Sequence, residues 1–376
     1  MTKHYYFDNA TTTLQKPKQV ATAMSHVILS NEYATPSRGS HAYSLNAYRL
    51  VEETREVIKQ FFHATNQYEV AFTNNATTSL NLVIKGLIKP NDHVLTTVWE
   101  HNSVLRPLYQ LQAQGVEVDF VSAMNNGQLN YQEFAEKLKP NTKAIVCNHA
   151  SNVTGNVMDI AFLKDFCKKH QLLLILDVSQ SAGSLAINLS DEMIAAICFT
   201  GHKGLYGPQG IGGIVIKNDL DISPVLTGGD GQYSFSKEQP ALLPTVFEAG
   251  TLNIPGIAGL KAGIEWVQTQ EKSSIGSYFY EGLKNIPEIQ LYGDFESKHV
   301  DVFSINIADV ESSLVGELLW EKYQIATRTG YHCAPKMHEA LNTQNQGSVR
   351  FSLSRFTTKE EVDYVLNALK EIVQGG

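Results

Sequence analysis

Cysteine is scarce in this sequence, with four among 376 residues, and none of the four lies in a CxxC pair. No HExxH motif occurs, and the twelve histidines do not cluster at the spacing of metal ligands. Because such clusters hold most zinc-type centres, we expect no metal site. Widely spaced single cysteines are typical of reducing compartments, which predicts a cytoplasmic protein with free thiols.

Long apolar runs and basic clusters are also missing. No stretch of about 18 or more consecutive apolar residues occurs, which argues against a membrane-spanning helix. The first residues, MTKHYYFDNATTT, lack the apolar core of a secretory signal. With 30 basic and 38 acidic residues the net charge is −8, and without a basic stripe we expect no nucleic-acid partner.

Apolar, β-rich runs recur through the first two thirds of the chain, with longer helical patterns between several of them. The runs lie at 69–73, 93–98, 116–123, 143–149, 172–178, 194–200 and 212–217. Continuous apolar strands that alternate with helices are typical of a parallel sheet covered on both faces. The sequence therefore predicts an α/β fold built on a mostly parallel sheet.

The last third differs, because helical patterns there alternate with shorter strands at 299–307 and 347–354. The closing segment is predicted to be an amphipathic helix, in which Thr358 and Glu361 fit a capping box. Its apolar stripe comprises Val362, Val365, Leu366, Leu369 and Ile372. This pattern favours a second, smaller α/β domain.

The length of the chain suits two domains. A stretch containing glycine and proline at 247–256 precedes the change in pattern. We therefore predict a large domain at 14–255 and a small domain formed by 1–13 and 256–376.

Polar residues follow five of the predicted strands. They are 74–78, 100–101, 148–152, 177–180 and 200–203. In parallel α/β sheets, ligands bind outside the carboxyl ends of the strands. These five segments can therefore supply one site.

The stretch 199–213 reads FTGHKGLYGPQGIGG and places Lys203 in a glycine-rich loop directly after an apolar strand. Glycine lets the backbone bend sharply and lets other atoms approach closely. A lysine there can clamp a phosphate, react as an amine with a carbonyl, or be an ordinary surface residue. The neighbouring Thr200 and His202, together with the other strand ends, favour a phosphate-bearing ligand.

Three other strand ends admit both a functional and a structural interpretation. The helix predicted at 76–87 begins with small hydroxyl residues, which indicates either an anion site or a plain N-cap. Asp177 ends a very apolar strand, so it pairs with a cation such as a protonated ring nitrogen or caps the next turn. His101 can stack on an aromatic cofactor and move protons, or be an ordinary loop residue.

The order of these motifs resembles the class V pyridoxal-phosphate enzymes, and within them the branch of cysteine desulfurases and selenocysteine lyases. The motifs are FDNATTT, ATTSLNLV, EHNS, SNVTG, DVSQSAG, TGHKGLYGPQGIGG, FEAGTLN, TRTGYHCAP and SVRFSLSRFTT. The resemblance runs from Phe7 to the C-terminal helix. It implies the PLP-dependent transferase fold (fold type I), with a seven-stranded sheet between helices in the large domain.

The resemblance implies pyridoxal 5'-phosphate as cofactor and a role for each matching residue. Lys203 would hold the cofactor as a Schiff base and later carry the substrate's α-proton. Asp177 would pair with the pyridinium nitrogen, Gln180 would bind the phenolic oxygen, and His101 would stack on the ring and act in catalysis.

Phosphate and substrate contacts are implied in the same way. The cofactor contacts also include Ala76, Thr77, Asn152, Thr200 and His202, of which Thr77, Thr200 and His202 hold the phosphate. Thr251 would reach the phosphate of a neighbouring subunit, which implies a homodimer. Asn152, Arg350 and His41 would bind the amino-acid substrate, with Arg350 suited to a two-pronged contact with its carboxylate.

Two positions depart from the family pattern. Asn75 stands where a glycine is usual, and we expect an asparagine to tolerate the positive φ of such a turn. Tyr331 replaces the usual histidine before the His-Cys pair. This second departure bears on substrate preference more than on the fold.

Cys333 decides what the site does to an amino acid. The other cysteines, at 147, 167 and 198, lie in apolar strands or in a helical stretch and are predicted to be inert. Cys333 instead lies in RTGYHCAP, near Arg328 and His332, and cations favour the nucleophilic thiolate. A buried loop cysteine is the alternative, and the resemblance favours the nucleophile.

The predicted reaction converts L-cysteine to L-alanine and leaves a persulfide on Cys333, with selenocysteine as a further substrate and an acceptor protein for the sulfur. Two alternatives stay open. One is a class V aminotransferase or β-eliminating lyase for another small amino acid, in which Cys333 is a bystander. The other is an inactive, dimeric binding protein, against which the intact set of site residues argues.

Overall fold

The structure is a computed structural model that describes residues 4–36, 39–229, 231, 233–271 and 273–374. The strands are β1 (Tyr5–Tyr6), β2 (Tyr68–Thr73), β3 (His93–Thr97), β4 (Glu117–Val121), β5 (Thr142–Asn148), β6 (Leu173–Asp177), β7 (Ala196–Thr200), β8 (Gly212–Lys217), β9 (Ile289–Tyr292), β10 (Val302–Ile307), β11 (Ile325–Ala326), β12 (Arg328–Gly330) and β13 (Ser348–Ser352).

The helices alternate with these strands. They are α1 (Lys18–Leu29), α2 (Ala42–Phe61), α3 (Ala76–Leu87), α4 (Asn102–Gln112), α5 (Glu133–Glu136), α6 (Ile160–His170), α7 (Ile254–Gln268), α8 (Ile275–Lys284), α9 (Ser312–Tyr323), α10 (Pro335–Ala340) and α11 (Lys359–Gln374), with a short 3-10 turn at Thr245–Phe247. No helix in the described parts of the chain combines the length and the apolarity needed to cross a membrane.

The large sheet has seven strands in the order β2-β8-β7-β6-β5-β3-β4. Neighbours from β7 through β4 run parallel, whereas β8 is antiparallel to both β2 and β7. The loop at 201–211 contains no helix that could carry the chain back, so β8 returns beside β7 in the opposite direction. The predicted mostly parallel, seven-stranded sheet is confirmed.

Alternate residues of the central strands face two separate apolar cores. In β5, Ile145 and Cys147 belong to the core on the side of α1, α2, α6 and α7. Ala144 and Val146 belong to the opposite core, beneath α3 and α4. Because a strand with both faces buried needs apolar residues at every position, β5 appears in the sequence as a continuous apolar run.

The C-terminal third forms a smaller lobe around a four-stranded antiparallel sheet, β12-β13-β10-β9. Its core contains residues of α8, α9 and α11 and also Phe7 from the N-terminal segment, which is fully buried. Parallel pairing of β1 with β11 further ties this segment to the small lobe. Residues Tyr5–Phe7 therefore pack with the small lobe, and the assignment of 1–13 to a small domain stays a prediction.

The predicted capping box of the last helix is present. The Thr358 N–H donates to Glu361 Oε2 at 3.1 Å, and the Glu361 N–H donates to Thr358 Oγ1 at 3.3 Å. Four residues of the predicted stripe are buried and Ile372 is half-buried. The capping box and the apolar face are thus confirmed together.

Helix α7 packs against α1 and α2 of the large lobe. Its residues Ile257, Leu260 and Ile264 belong to the large-lobe core, whereas the small-lobe core begins at Ile275. We propose that the large domain extends through α7 and that the domain boundary lies between α7 and α8.

Candidate active site

A cavity of about 330 Å³ lies at the carboxyl ends of the parallel strands and is closed on one side by the small lobe. It receives side chains from all five predicted strand-end segments. The predicted site residues that line it are Ala76, Thr77, His101, Asn152, Asp177, Gln180, Thr200, His202, Lys203, Cys333 and Arg350. Its volume is at the lower end of the range for small-molecule sites.

Two predicted site residues lie away from this cavity. His41 caps α2, where its Nδ1 accepts a hydrogen bond from the Ser44 N–H at 3.3 Å. Thr251 is exposed just before α7. Neither side chain lines the cavity of its own chain, so their roles stay predictions, and that of Thr251 requires a second subunit.

The loop after β7 holds Lys203 inside the cavity. Burial lowers the pKa of the Lys203 amine to about 8, although the nearby Asp177 carboxylate acts in the opposite direction. The amine makes no hydrogen bond to the described residues, and a lowered pKa increases its neutral, nucleophilic fraction. Glycine is required next to it, because a Cβ on Gly204 would collide with the carbonyl oxygen of Ala182.

Asp177 ends β6 and is 5% exposed. Ser179 donates both its backbone N–H, at 2.9 Å, and its hydroxyl, at 2.5 Å, to Oδ1. No described residue donates to Oδ2. A buried carboxylate oxygen in this position suits a cationic donor such as a protonated ring nitrogen.

His101 lies in the loop that follows β3 and is the N-cap residue of α4. Its Nδ1 accepts a hydrogen bond from the Ser103 N–H at 3.1 Å and lies 2.9 Å from the Ser103 hydroxyl. Burial and the charge of Lys203 lower the pKa of His101 to about 4, so the imidazole is neutral near pH 7. Because Nδ1 is the acceptor, the proton is assigned to Nε2. A neutral, fixed ring is suited to stacking on an aromatic cofactor.

An anion-binding corner forms at the start of α3. Asn75 Oδ1 accepts the Thr78 N–H at 2.9 Å, whereas the N–H groups of Ala76 and Thr77, two residues that line the cavity, have no acceptor among the described residues. The helix dipole there favours negative charge. Thr200 Oγ1 and His202 Nδ1 are buried and have no hydrogen-bond partner among the described residues. A phosphate group would satisfy these donors.

The conformation of Asn75 differs from the expectation. Its φ is −176°, which is extended backbone that any residue adopts. The expectation of a positive φ was therefore wrong, and the turn does not require glycine at this position. Asparagine contributes instead as the cap of α3.

Arg350 forms the opposite wall and is 3% exposed. It donates from Nη1 to the Asn152 carbonyl at 3.0 Å, and from Nη2 to Asp8 Oδ1 at 2.9 Å and Thr11 Oγ1 at 2.8 Å. Its Nε is a buried donor without a partner among the described residues. Unpaired buried donors are costly, so this guanidinium is suited to an anionic ligand such as a carboxylate.

Cys333 is the one exposed cysteine of the four, all of which the structure describes. It follows β12 and has a φ of 57°. Its carbonyl accepts a hydrogen bond at 2.7 Å from the N–H of Asn102, the residue after His101. Cys147 and Cys198 are fully buried, and burial raises the pKa of Cys167 to about 12. The alternative of a buried loop cysteine at position 333 is thereby excluded.

Sequence reasoning gave no role to Asp8, Thr11 or Ser103. Asp8 and Thr11 belong to the FDNATTT motif, but only the fold brings position 8 next to position 350. Ser103 follows His101 by two residues, and its hydroxyl lies 2.7 Å from Thr77 Oγ1. The helix α4 begins at Asn102 inside the EHNS motif, and that helix start was the available signal for the contact.

Glu100 precedes His101 and is completely buried. Its carboxyl accepts hydrogen bonds from Thr97 Oγ1 at 2.6 Å and from the Asn148 N–H at 2.9 Å. Burial raises the pKa of Glu100 well above its usual value, and the charge of Asp177 adds to the effect. Folding therefore takes up a proton at this residue when the solution is above the unfolded pKa.

Glu100→Gln is expected to make stability less dependent on pH. Since the folded pKa is raised, the stability from Glu100 is full below the unfolded pKa and is lost as pH rises toward the folded pKa. An amide stays neutral, and the Thr97 hydroxyl can rotate to accept from it. The free energy of unfolding of the variant relative to wild type should therefore increase as the pH rises above the unfolded pKa of Glu100, until the folded pKa is reached.

Denaturant titrations of both proteins at several pH values measure this difference. Glu56→Gln, at an exposed position of α2, is the control and should change little with pH. A constant difference between Glu100→Gln and wild type across this range would contradict a neutral carboxyl at Glu100.

The family model described as aminotransferase class-V matches residues 5–365. The chain belongs to this family. Class-V aminotransferases use pyridoxal phosphate, and the lysine, aspartate and anion-binding corner of the cavity fit that cofactor. The resemblance inferred from the motifs is confirmed.

Several similar proteins and solved structures are described as cysteine desulfurases. A probable cysteine desulfurase of Pyrococcus abyssi is 32% identical, with 98% of this chain and 94% of that protein aligned. The cysteine desulfurase IscS of Buchnera aphidicola is 28% identical, over 98% and 92%. The solved cysteine desulfurase of Thermococcus onnurineus superposes with a TM-score of 0.91 at 32% identity, covering 99% of this chain and 95% of that one.

Proposed function

We propose that this class-V aminotransferase is a cysteine desulfurase, which converts L-cysteine to L-alanine and retains the sulfur as a persulfide on Cys333. The observation that carries the proposal is the position of Cys333. Its exposed side chain lines the same cavity as Lys203 and Arg350. The names of the similar proteins support the same reaction.

Pyridoxal 5'-phosphate fits the donors of the cavity. Lys203 would hold it covalently, Asp177 would pair with its ring nitrogen, and His101 would stack on its ring. The first N–H groups of α3, with Thr77, Thr200 and His202, would hold the phosphate, and Gln180 would bind the phenolic oxygen. When bound, the cofactor supplies an electron sink for bonds broken at the substrate's α-carbon.

The residues around the cofactor divide the remaining work. Arg350, through its unpaired Nε, and Asn152 bind the substrate carboxylate. Lys203, as a free amine whose lowered pKa suits proton transfer near neutral pH, would remove the α-proton. His101 keeps its Nε2 proton available inside the cavity.

The sulfur step takes place at Cys333. Its thiolate attacks the side-chain sulfur of the substrate, so that a sulfur–sulfur bond forms and the carbon–sulfur bond breaks. The electron pair of the broken bond stays with the carbon, which is later protonated to give alanine. Selenocysteine has a weaker carbon–selenium bond and is a further proposed substrate, whose selenium does not require this attack.

A homodimer belongs to the proposal, because Thr251 completes the phosphate site only from a neighbouring subunit. Exposed apolar side chains support a partner surface around α1 and α2. They are Leu14, Ile28, Leu29, Tyr43 and Tyr48. Phe235, in the segment that leads toward Thr251, is also fully exposed.

Sulfur is proposed to leave on an acceptor protein. Cys333 lies between β12 and α10, and Pro335 begins α10 two residues later, so the cysteine is not carried on a long arm. An acceptor thiol must therefore approach the cavity mouth. A free thiol at this position is maintained most readily in the cytoplasm, where we place the reaction.

Turnover of L-cysteine, L-selenocysteine and L-alanine, measured side by side, tests the proposed function. A desulfurase yields alanine and protein-bound sulfur from the first, releases selenium from the second and does not consume the third. Keto-acid formation from L-alanine would establish an aminotransferase instead. Pyruvate and free sulfide from L-cysteine would establish a β-eliminating lyase, and no reaction with any of them an inactive binding protein.

A further inference from the structure

We infer that Asp8 is a positioning residue for substrate binding, which fixes the direction of the Arg350 guanidinium from outside the cavity. The inference rests on the proposed role of Arg350 as the anchor of the substrate carboxylate. It adds Asp8 to the N-terminal residues Ala10 and Thr11, which line the cavity directly.

The carboxylate of Asp8 and the proposed substrate carboxylate would contact different nitrogens of Arg350. Asp8 Oδ1 accepts from Nη2 at 2.9 Å, and the two side chains are 13% and 4% exposed. Arg350 lines the cavity, whereas Asp8 does not. Asp8 therefore contacts Nη2 and leaves Nε, which has no partner among the described residues, for a ligand.

A closed triangle of hydrogen bonds fixes the pair. The Thr11 hydroxyl donates to Asp8 Oδ1 at 2.7 Å and accepts from Arg350 Nη2 at 2.8 Å. Together with the bond from Nη1 to the Asn152 carbonyl at 3.0 Å, these contacts leave the guanidinium plane little freedom to rotate. The direction of the remaining donor, Nε–H, toward a ligand depends on that plane.

The backbone around Asp8 is itself held in place. Its carbonyl accepts the Thr11 N–H at 3.2 Å and the Tyr6 hydroxyl at 3.1 Å. Asp8 also forms a parallel bridge with Ser352, at the end of the strand that carries Arg350. The carboxylate is thus fixed relative to β13, as a positioning group requires.

Charge explains why an acid is suited to this position. Burial lowers the pKa of Arg350, and the nearby Arg328 acts in the same direction, whereas Asp8 opposes both. A buried guanidinium without a counter-charge is strongly destabilising. Asp8 therefore supplies the counter-charge that offsets the burial of this guanidinium.

Asp8→Asn in the holoenzyme tests the inference. The KM for L-cysteine is expected to rise about tenfold with kcat changed less than about twofold, because an interaction used in binding is weakened. Cysteamine has the amine and the thiol of cysteine but no carboxylate. Its dissociation constant, followed through the cofactor absorbance, should stay the same. Asp8→Glu should give an intermediate KM, and the surface variant Glu265→Gln, which also removes one carboxylate, should leave KM unchanged.

Arg350→Met distinguishes the two levels of the proposal. If it leaves the KM for L-cysteine unchanged, Arg350 is not the carboxylate anchor and the proposed site assignment fails. If Arg350→Met raises KM but neither Asp8 variant does, the role of Asp8 is refuted while the role of Arg350 as anchor stands.

A lower KM in Asp8→Asn would show that Asp8 competes with substrate. Equal weakening of cysteamine and L-cysteine would show a structural defect. Should Asp8→Asn not fold, the same comparison is made with Asp8→Glu.

Discussion

Lys203→Ala is expected to abolish turnover of L-cysteine, with a fall of at least about a thousandfold, and to remove the covalent cofactor signal. The side chain is the one amine that reaches the cavity from the glycine-rich loop, and burial has lowered its pKa to about 8. Two functions are lost together, the covalent attachment of the cofactor and the removal of the α-proton. Absorbance spectra and steady-state rates measure both.

Lys203→Arg separates the two interpretations that the sequence left open. Arginine preserves the positive charge of a phosphate clamp but cannot form a covalent bond with an aldehyde. We expect this variant to be as inactive as Lys203→Ala, and borohydride to label Lys203 in the wild-type protein alone. Lys261→Ala, at a surface position of α7, is the control and should retain both signals. Substantial activity in Lys203→Arg would establish a phosphate clamp.

The central part of this site could be predicted because local patterns determine it. Continuous apolar runs predict buried parallel strands, and parallel strands bring their carboxyl ends to one edge. Asp177, His101 and Lys203 lie at or after the ends of three such runs. Their convergence could therefore be predicted without knowledge of side-chain packing. The cavity confirms that reasoning for all five strand-end segments.

Contacts between distant segments could not be predicted in this way. Asp8 and Arg350 meet only because β1 pairs with β11 and Phe7 enters the small-lobe core. No periodicity within either segment encodes that pairing. The same limit applies to α7, which follows the Gly- and Pro-containing stretch at 247–256 yet packs on the large lobe because its apolar face fits α1 and α2.

Asn75 shows a different limit, in which a correct position was given a wrong physical reason. Family resemblance suggested a turn that needs a positive φ, and asparagine was expected to tolerate it. The backbone is instead extended, and the side chain caps α3. A departure from a family pattern identifies a position in the site, but the folded structure is needed to show which interaction the residue makes there.

Cys333→Ser is expected to reduce sulfur release from L-cysteine at least about a thousandfold while the cofactor stays bound, because a hydroxyl is a far weaker nucleophile than a thiolate. Cleavage of selenocysteine should persist, since selenium leaves without attack by the protein. Rates with both substrates, together with mass spectrometry of protein-bound sulfur, measure the outcome. The buried control Cys167→Ala should keep desulfurase activity.

The burial of the other cysteines gives a second, independent readout of this prediction. Iodoacetamide should modify Cys333 selectively in the folded enzyme. The other three cysteines, Cys147, Cys167 and Cys198, are buried, and burial raises the pKa of each thiol. Loss of desulfurase activity should then follow the modification of this single thiol. Full desulfurase activity in Cys333→Ser, or in enzyme alkylated at Cys333, would refute the nucleophile. The cavity would then belong to an enzyme in which the cysteine is a bystander.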